Sequence, residues 1–275
     1  MIPYRAMLDV PAGLLRYLSR LLAAERRHRG TPAGSRKLTC RDQAVLALRW
    51  FRDRTRIEAL GRDHRVSRAT AYRYVAEAVD VLSAQAPGLP EALERALAEG
   101  VPYVILDGKV FASDRCSEPM TSVKGEQVDA WYSGKAHRHG GNVQAVMRPD
   151  GLPLWVAPAE PGSVHDITAA RLHALPALYR AAALGMPCLA DSGYEGAGIG
   201  ILVPFKNPPG NQELDAGART RNMLLRDLRC RGERGFALLT QRWTALQHTT
   251  ASPRQLTQIV RAALVLTQFE HKYLS

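Results

Sequence analysis

The sequence predicts an α/β fold, with an all-α amino-terminal domain over residues 1–88 and a mixed-sheet domain over residues 89–275. Three observations predict it. Leucine recurs at helical spacing from residue 14 onward. The composition shifts at the Pro- and Gly-containing stretch "SAQAPGLP" (83–90). Beyond that linker, runs rich in β-branched residues alternate with helical patterns.

"AGLLRYLSRLLAAERRHR" (12–29) is amphipathic with a basic end, which gives a helix over about 12–28. "TPAGSRKLT" (31–39) has loop composition. Thr39 then precedes "CRDQAVLALRWFRDR", where Ala44, Leu46, Leu48 and Phe51 form the apolar side of a helix over about 41–53. In "RIEALGRDHRVSRATAYRYVAEAVDVL" (56–82), a helix Ile57–Asp63, a turn at His64–Val66 and Ser67 as N-cap of a second helix make a helix-turn-helix pattern. The second helix of such a unit can enter the major groove of double-stranded DNA, with Arg68, Thr70, Tyr72 and Arg73 reaching base edges or phosphates. An ordinary helical hairpin with solvated arginines has the same pattern.

A short helix at 90–99 leads into the strand "VPYVILDG" (101–108), expected to end at Asp107. "NVQAVMRPDGLPLWVAPA" (142–159) reads as a hairpin turning at Pro149–Gly151. After "EPGSVHD" comes the helix "ITAARLHALPALYRAAAL", kinked or broken at Pro176. The strand "PCLAD" ends at Asp191, "IGILVPF" (199–205) is a further strand, and two helices at about 218–246 and 252–271 close the chain.

The 275-residue chain carries a formal net charge of +11, which favours a polyanionic partner, nucleic acid first. An arginine-rich composition without a function in it gives the same charge. Cys40, Cys116, Cys188 and Cys230 are far apart and form no C-x-x-C pair, which argues against zinc and fits a reducing cytoplasm. No apolar run approaches the roughly 20 residues that span a bilayer, and the amino terminus has no signal-peptide core, so a soluble cytoplasmic protein is expected.

Asp107 and Asp191 each stand where an apolar strand runs out, an edge at which ligand-binding groups gather. Aspartate is also a common turn residue there, and "DG" and "DSG" carry turn chemistry. On the helix at 218–246, with about 100° per residue, Leu225, Leu228, Gly232, Phe236, Leu239, Trp243 and Leu246 share one arc. Arg226, Arg229, Glu233 and Thr240 fall on the adjoining arc, which puts Glu233 at the core boundary. Glu233 is then either a routine ion-pair partner of Arg229 or a third carboxylate. Three carboxylates from two strand ends and a helix can hold two Mg²⁺ or Mn²⁺ ions about 3.5–4 Å apart, with arginines gripping an anionic backbone.

Lys135, His137, Arg138 and His139 in "SGKAHRHGG" (133–141) suit phosphate contact or form a solvated basic loop. Trp131 and Tyr132 either stack on a flipped base or belong to the core. His165 and Asp166 offer a metal-ligand pair or a phosphate-contacting turn, but Asp166 is best placed to N-cap the helix beginning at Ile167.

"ILDGKVF", "WYSGKAHRHGGNVQAV", "GSVHDITAAR", "LADSGYEGAG" and "RCRGERGFALLTQRW" occur in that order, after "DHRVSRATAYRYV". This series resembles bacterial insertion-sequence transposases of the acidic-triad (DDE) type, in the insertion-sequence-five group related to Harbinger transposases. The resemblance implies a ribonuclease-H-like catalytic core and an amino-terminal DNA-binding segment. It implies an enzyme that cuts DNA at terminal inverted repeats and joins the freed 3′-hydroxyl to target DNA with Mg²⁺, acting as at least a dimer. Carried over residue by residue, the three acids fall on Asp107, Asp191 and Glu233, and an arginine that precedes the glutamate by four residues falls on Arg229. The chain departs from the family at Arg226, where relatives have Tyr, at Thr240, where they have Lys, and at Lys109, where Thr is frequent. These departures keep a second reading open, a catalytically impaired DNA-binding protein derived from a transposase. A stand-alone nuclease is the third.

Overall fold

The computed structural model describes residues 7–114, 117–121, 125–210 and 213–274, so Cys116 lies outside it. Two compact units emerge: Met1–Ala86 with Leu239–Gln247 and Gln258–Ser275, and Pro87–Leu238 with His248–Thr257.

The first unit contains α1 (Ala12–His28), α2 (Cys40–Asp53), α3 (Ile57–Asp63) and α4 (Arg68–Ser83). Of these, α2 and α4 begin at a side-chain cap. Thr39 Oγ1 accepts from Asp42 N at 3.1 Å to cap α2, and Ser67 Oγ accepts from Thr70 N at 3.2 Å to cap α4. Leu14, Leu18 and Leu22 of α1 and Ala44, Leu46, Leu48 and Phe51 of α2 are buried, as their spacing predicts. Trp243 is fully buried in the same unit, edge-on to Phe51, and its indole N–H donates to Thr267 Oγ1 at 2.9 Å.

The second unit starts with α5 (Leu89–Ala98). Its strands are β1 (Val104–Ala112), β2 (Pro119–Thr121), β3 (Gln127–Asp129), β4 (Tyr132–Ser133), β5 (Arg138–Met147), β6 (Pro153–Val156) and β7 (Glu160–Pro161). Then come α6 (Asp166–His173), α7 (Leu175–Ala183), β8 (Cys188–Leu189), β9 (Ile201–Leu202), α8 (Ala216–Arg229) and α9 (Arg231–Arg242). The last helix, α10 (Pro253–Glu270), contributes to both units. The sheet runs β4-β5-β1-β8-β9, antiparallel on the β5 side of β1 and parallel on the β8 side, with β6 and β7 also on β5. It is the mixed sheet expected.

Several expectations are corrected. β1 does not end at Asp107, because β5 pairs with it in register from Ile105↔Met147 to Ala112↔Gly140. "DG" is therefore mid-strand and not a turn. The helix expected over 167–184 breaks at Ala174, and Pro176 lies in the first turn of α7, where a missing N–H costs nothing. The strand expected over 199–205 shrinks to Ile201–Leu202. The helix expected over 218–246 is two helices separated at Cys230, followed by a 3-10 turn at Thr244–Leu246. That break separates the phases of α8 and α9, so Leu228 leaves the buried arc and, 43% exposed, lines an open apolar groove with Leu202 and Leu224. Among the described residues, no helix is long and apolar enough to cross a membrane.

Candidate active site

β1 and β8 pair in parallel at Val104↔Cys188 and Ile105↔Leu189. Two residues beyond this pairing each segment carries an aspartate, Asp107 and Asp191, and the charge of Asp191 reaches the Asp107 carboxyl. Alternation along β1 puts Asp107 on the face that also carries Ile105, Lys109 and Phe111, and the same register puts Asp191 on that face. Each carboxylate is half-fixed by its own backbone: Asp107 Oδ1 accepts from Gly108 N at 3.0 Å, and Asp191 Oδ1 accepts from Gly193 N at 2.8 Å, capping the 3-10 turn Ser192–Tyr194. Burial pushes the Asp107 carboxyl up to about 6, the charges of Asp191 and Asp166 adding to the rise while the Gly108 N–H and the Arg229 guanidinium oppose it.

Helix α9 covers the Asp107 face of β1. A Cβ on Gly232 would lie 2.8 Å from Ile105 Cγ2, and one on Gly235 would press on Met147 Sδ and stand 2.8 Å from the Gly151 carbonyl oxygen. One turn on, Phe236 meets Phe111 edge-on at 6.1 Å, and Lys109 Nζ lies 5.8 Å from the Phe236 ring. Lys109 is thereby engaged with α9. Glu233 sits between these contacts in sequence, with its side chain exposed. Among the described residues, no three His, Cys, Asp or Glu side chains converge closely enough to hold a metal ion. The charge of Asp191 thus reaches Asp107, and Glu233 is exposed on the helix that packs over β1.

Asp166 does not cap α6. The N-cap position is His165, which makes no side-chain capping bond. Tertiary donors take the Asp166 carboxylate instead: Oδ1 accepts from Asn142 Nδ2 at 2.9 Å and Gln144 Nε2 at 3.2 Å, and Oδ2 accepts from Lys135 Nζ at 3.1 Å. The Tyr194 hydroxyl donates to Gln144 Oε1 at 2.5 Å, which turns the Gln144 amide nitrogen toward Asp166. Gly108 makes room for this hub, since a Cβ there would lie 2.5 Å from both Asp166 Oδ1 and Gln144 Nε2. Sequence reasoning does not single out Asn142, Gln144 or Tyr194. The signal that could find them is two amides at period two inside the otherwise apolar β5.

The remaining predicted residues divide plainly. Lys135 joins the hub, while His137, Arg138 and His139 are exposed, with His137 at φ 50° and His139 3.5 Å from Asp129. Trp131 is core at 7% exposure, whereas Tyr132 is exposed against the His139 ring. Arg226 is exposed on α8 and Arg229 is half-buried. In the first unit Arg68, Tyr72 and Arg73 are exposed at the start of α4 and Thr70 is half-buried. Arg68 pairs with Glu58 at 2.8 Å and lies over the Tyr72 ring.

Hard carboxylate oxygens on Asp107, in the middle of β1, and on Asp191, just beyond β8, fit a divalent cation such as Mg²⁺ or Mn²⁺. Comparisons with the curated proteins and with the solved structures return no match. A family model described as "DDE superfamily endonuclease" matches residues 106–268, a span that holds Asp107, Asp191 and Glu233 and more than half of the chain. On that match the chain belongs to the DDE superfamily of endonucleases.

Proposed function

We propose that the protein is a DNA transposase that cleaves phosphodiester bonds at the ends of an insertion sequence and transfers the freed 3′-hydroxyl to target DNA. The observation that carries this reading is the proximity of Asp107 and Asp191, two residues beyond the parallel pairing of β1 and β8, with the charge of one acting on the other. Membership of the family supports a nucleic acid substrate. In this reading Asp107, Asp191 and Glu233 would hold two Mg²⁺ or Mn²⁺ ions. When bound, such ions supply an activated attacking oxygen and neutralise the leaving one. Arg229, whose charge already reaches Asp107, and Arg226 grip the phosphates flanking the scissile bond. Lys135, His137, Arg138 and His139 guide the strand into the site. Arg68, Thr70, Tyr72 and Arg73 read the terminal repeats from the helix-turn-helix pattern, and synapsis of two ends requires at least a homodimer. Membership in the insertion-sequence-five group, with its Harbinger kinship, belongs to the same proposal.

A DNA-binding protein without cleavage is the second reading, favoured by the exposure of Glu233. Incubation with supercoiled plasmid carrying the element's own terminal repeats, in Mn²⁺ or in EDTA, separates the two. Metal-dependent nicking and strand-transfer products support the transposase. Nicking without joined products supports a stand-alone nuclease, and shifted but uncut DNA supports the binder.

A further inference from the structure

The hub around Asp166 is built more tightly than a surface ion pair needs. Asn142 and Gln144, its amide donors, are 3% and 0% exposed, and the Tyr194 phenol that orients Gln144 is fully buried. Asp166 itself is 16% exposed by its side chain, whereas Lys135 is 80% exposed. One end of the ion pair is thus fixed in the fold and the other is offered to solvent. The hub also touches both carriers of the acidic pair. Asp166 rests against Gly108, the residue after Asp107, on the face of β1 opposite the Asp107 side chain, and Tyr194 belongs to the turn that Asp191 caps. Between the β8 pairing at Ile105 and the Thr249 bond at Ala112, the edge of β1 away from β5 has no ladder partner among the described residues.

We propose that Asp166 is a positioning residue that holds the Lys135 ammonium beside the Asp107–Asp191 pair, where Lys135 contacts the phosphodiester that is being cut. This rests on the nuclease reading above. The field at Lys135 agrees with the geometry: Asp166 first, by charge and hydrogen bond, and then Asp191 and Asp107 strengthen its hold on the proton, against a small loss from burial. A lysine pinned in this way meets the phosphate without reorganising in the transition state, which is where a fixed cation accelerates phosphoryl transfer. A free lysine on the same loop contributes to DNA affinity and little to rate.

The test is a double-mutant cycle on the full-length protein with plasmid DNA and Mn²⁺, reading kcat at saturating DNA and the DNA Kd separately. Lys135→Gln and Asp166→Asn are each expected to lower kcat about 10- to 100-fold while Kd changes less than about 3-fold. The double variant is expected within about 3-fold of the weaker single variant, and Lys135→Arg is expected to keep at least about a third of wild-type kcat. A merely structural Asp166 moves kcat independently of residue 135, so losses that multiply overturn the proposal. Wild-type kcat in Lys135→Gln also overturns it. Should Asp166→Asn fail to fold, the pair Lys135→Gln and Lys135→Arg still decides, by loss in the first and retention in the second. Asp107→Asn serves as the control. If wild type does not cut, the nuclease reading falls and this inference with it. If wild type cuts, Asp107→Asn does not and Lys135→Gln is unaffected, only this inference falls.

Discussion

At the scale of one residue, Asp107 pits folding against function. Its carboxyl is held at about 6 against an ordinary 3.8, chiefly by burial. A raised folded value means that the protonated acid is the comfortable form. Its contribution to stability is complete below the unfolded value and is lost as pH rises through about 6. The difference of 6 − 3.8, about 2 units, corresponds to at most about 3 kcal/mol. Asp107→Asn mimics the neutral acid, so in EDTA it should match wild type at pH 4 and exceed it by up to about 3 kcal/mol at pH 8 in urea unfolding. Parallel pH profiles for the two proteins would sink this account. Adding Mg²⁺ at pH 8 should raise the Tm of wild type and leave that of Asp107→Asn unmoved, because only a carboxylate rewards the ion for binding.

At the scale of elements, α9 explains two glycines that look like errors in a helix. Each costs about 1 kcal/mol of helix propensity against alanine. Yet a Cβ on Gly235 would press on Met147 Sδ and stand 2.8 Å from the Gly151 carbonyl oxygen, backbone that cannot swing aside. Gly235→Ala should therefore lose more by overpacking, about 1–3 kcal/mol, than it gains in propensity, and chemical denaturation should show a net loss. A net gain would mean that α9 does not approach β5 this closely. The same distinction between local and tertiary causes decides what the sequence discloses. α1, α3 and α4 are legible because periodicity and the Ser67 cap are local. β1 beyond Asp107 is not, because "GKVFA" has no strand signature of its own and is held by β5 some 30 residues away. Asp166 reads as a cap until Asn142 and Gln144, 24 and 22 residues distant, outcompete the helix terminus for its oxygens. Asp107 and Asp191 are legible as acids at the close of apolar runs, but neither ends its strand: β1 continues to Ala112 and β8 stops at Leu189. The position of Glu233 depends on the break at Cys230, which no Pro or Gly at residue 230 announces.

At the scale of the molecule, the net charge of +11 is not a uniform coat. Part of it is structural. Arg242 donates to Glu270 Oε1 at 2.6 Å and to Asp9 Oδ2 at 2.7 Å, and those partners, Glu270 first, hold its proton more firmly than usual. Arg36 bonds the buried Glu77 at 2.7 Å, and Arg49 bonds Asp63 at 2.7 Å. These guanidiniums are already neutralised and release few counterions from DNA. Arg68 and Arg73, exposed at the start of α4, are the contrasting kind: the Arg68–Glu58 pair is open to solvent on both sides and screened by it, and Arg73 donates to the Thr70 hydroxyl. Binding to the element's terminal repeats, titrated between 50 and 200 mM salt, should separate the two groups. Replacing Arg68 and Arg73 together by alanine should weaken binding at least about 10-fold and flatten the slope of log K against log[salt] by about 1.8, because each neutralised phosphate contributes about 0.9 to that slope. Arg242→Ala should leave the slope unchanged. It should instead lower stability by about 2 kcal/mol, because Glu270, 13% exposed, loses its charged partner. If Arg242→Ala flattened the slope and the Arg68/Arg73 variant did not, the basic face of α4 would not be the surface that meets DNA.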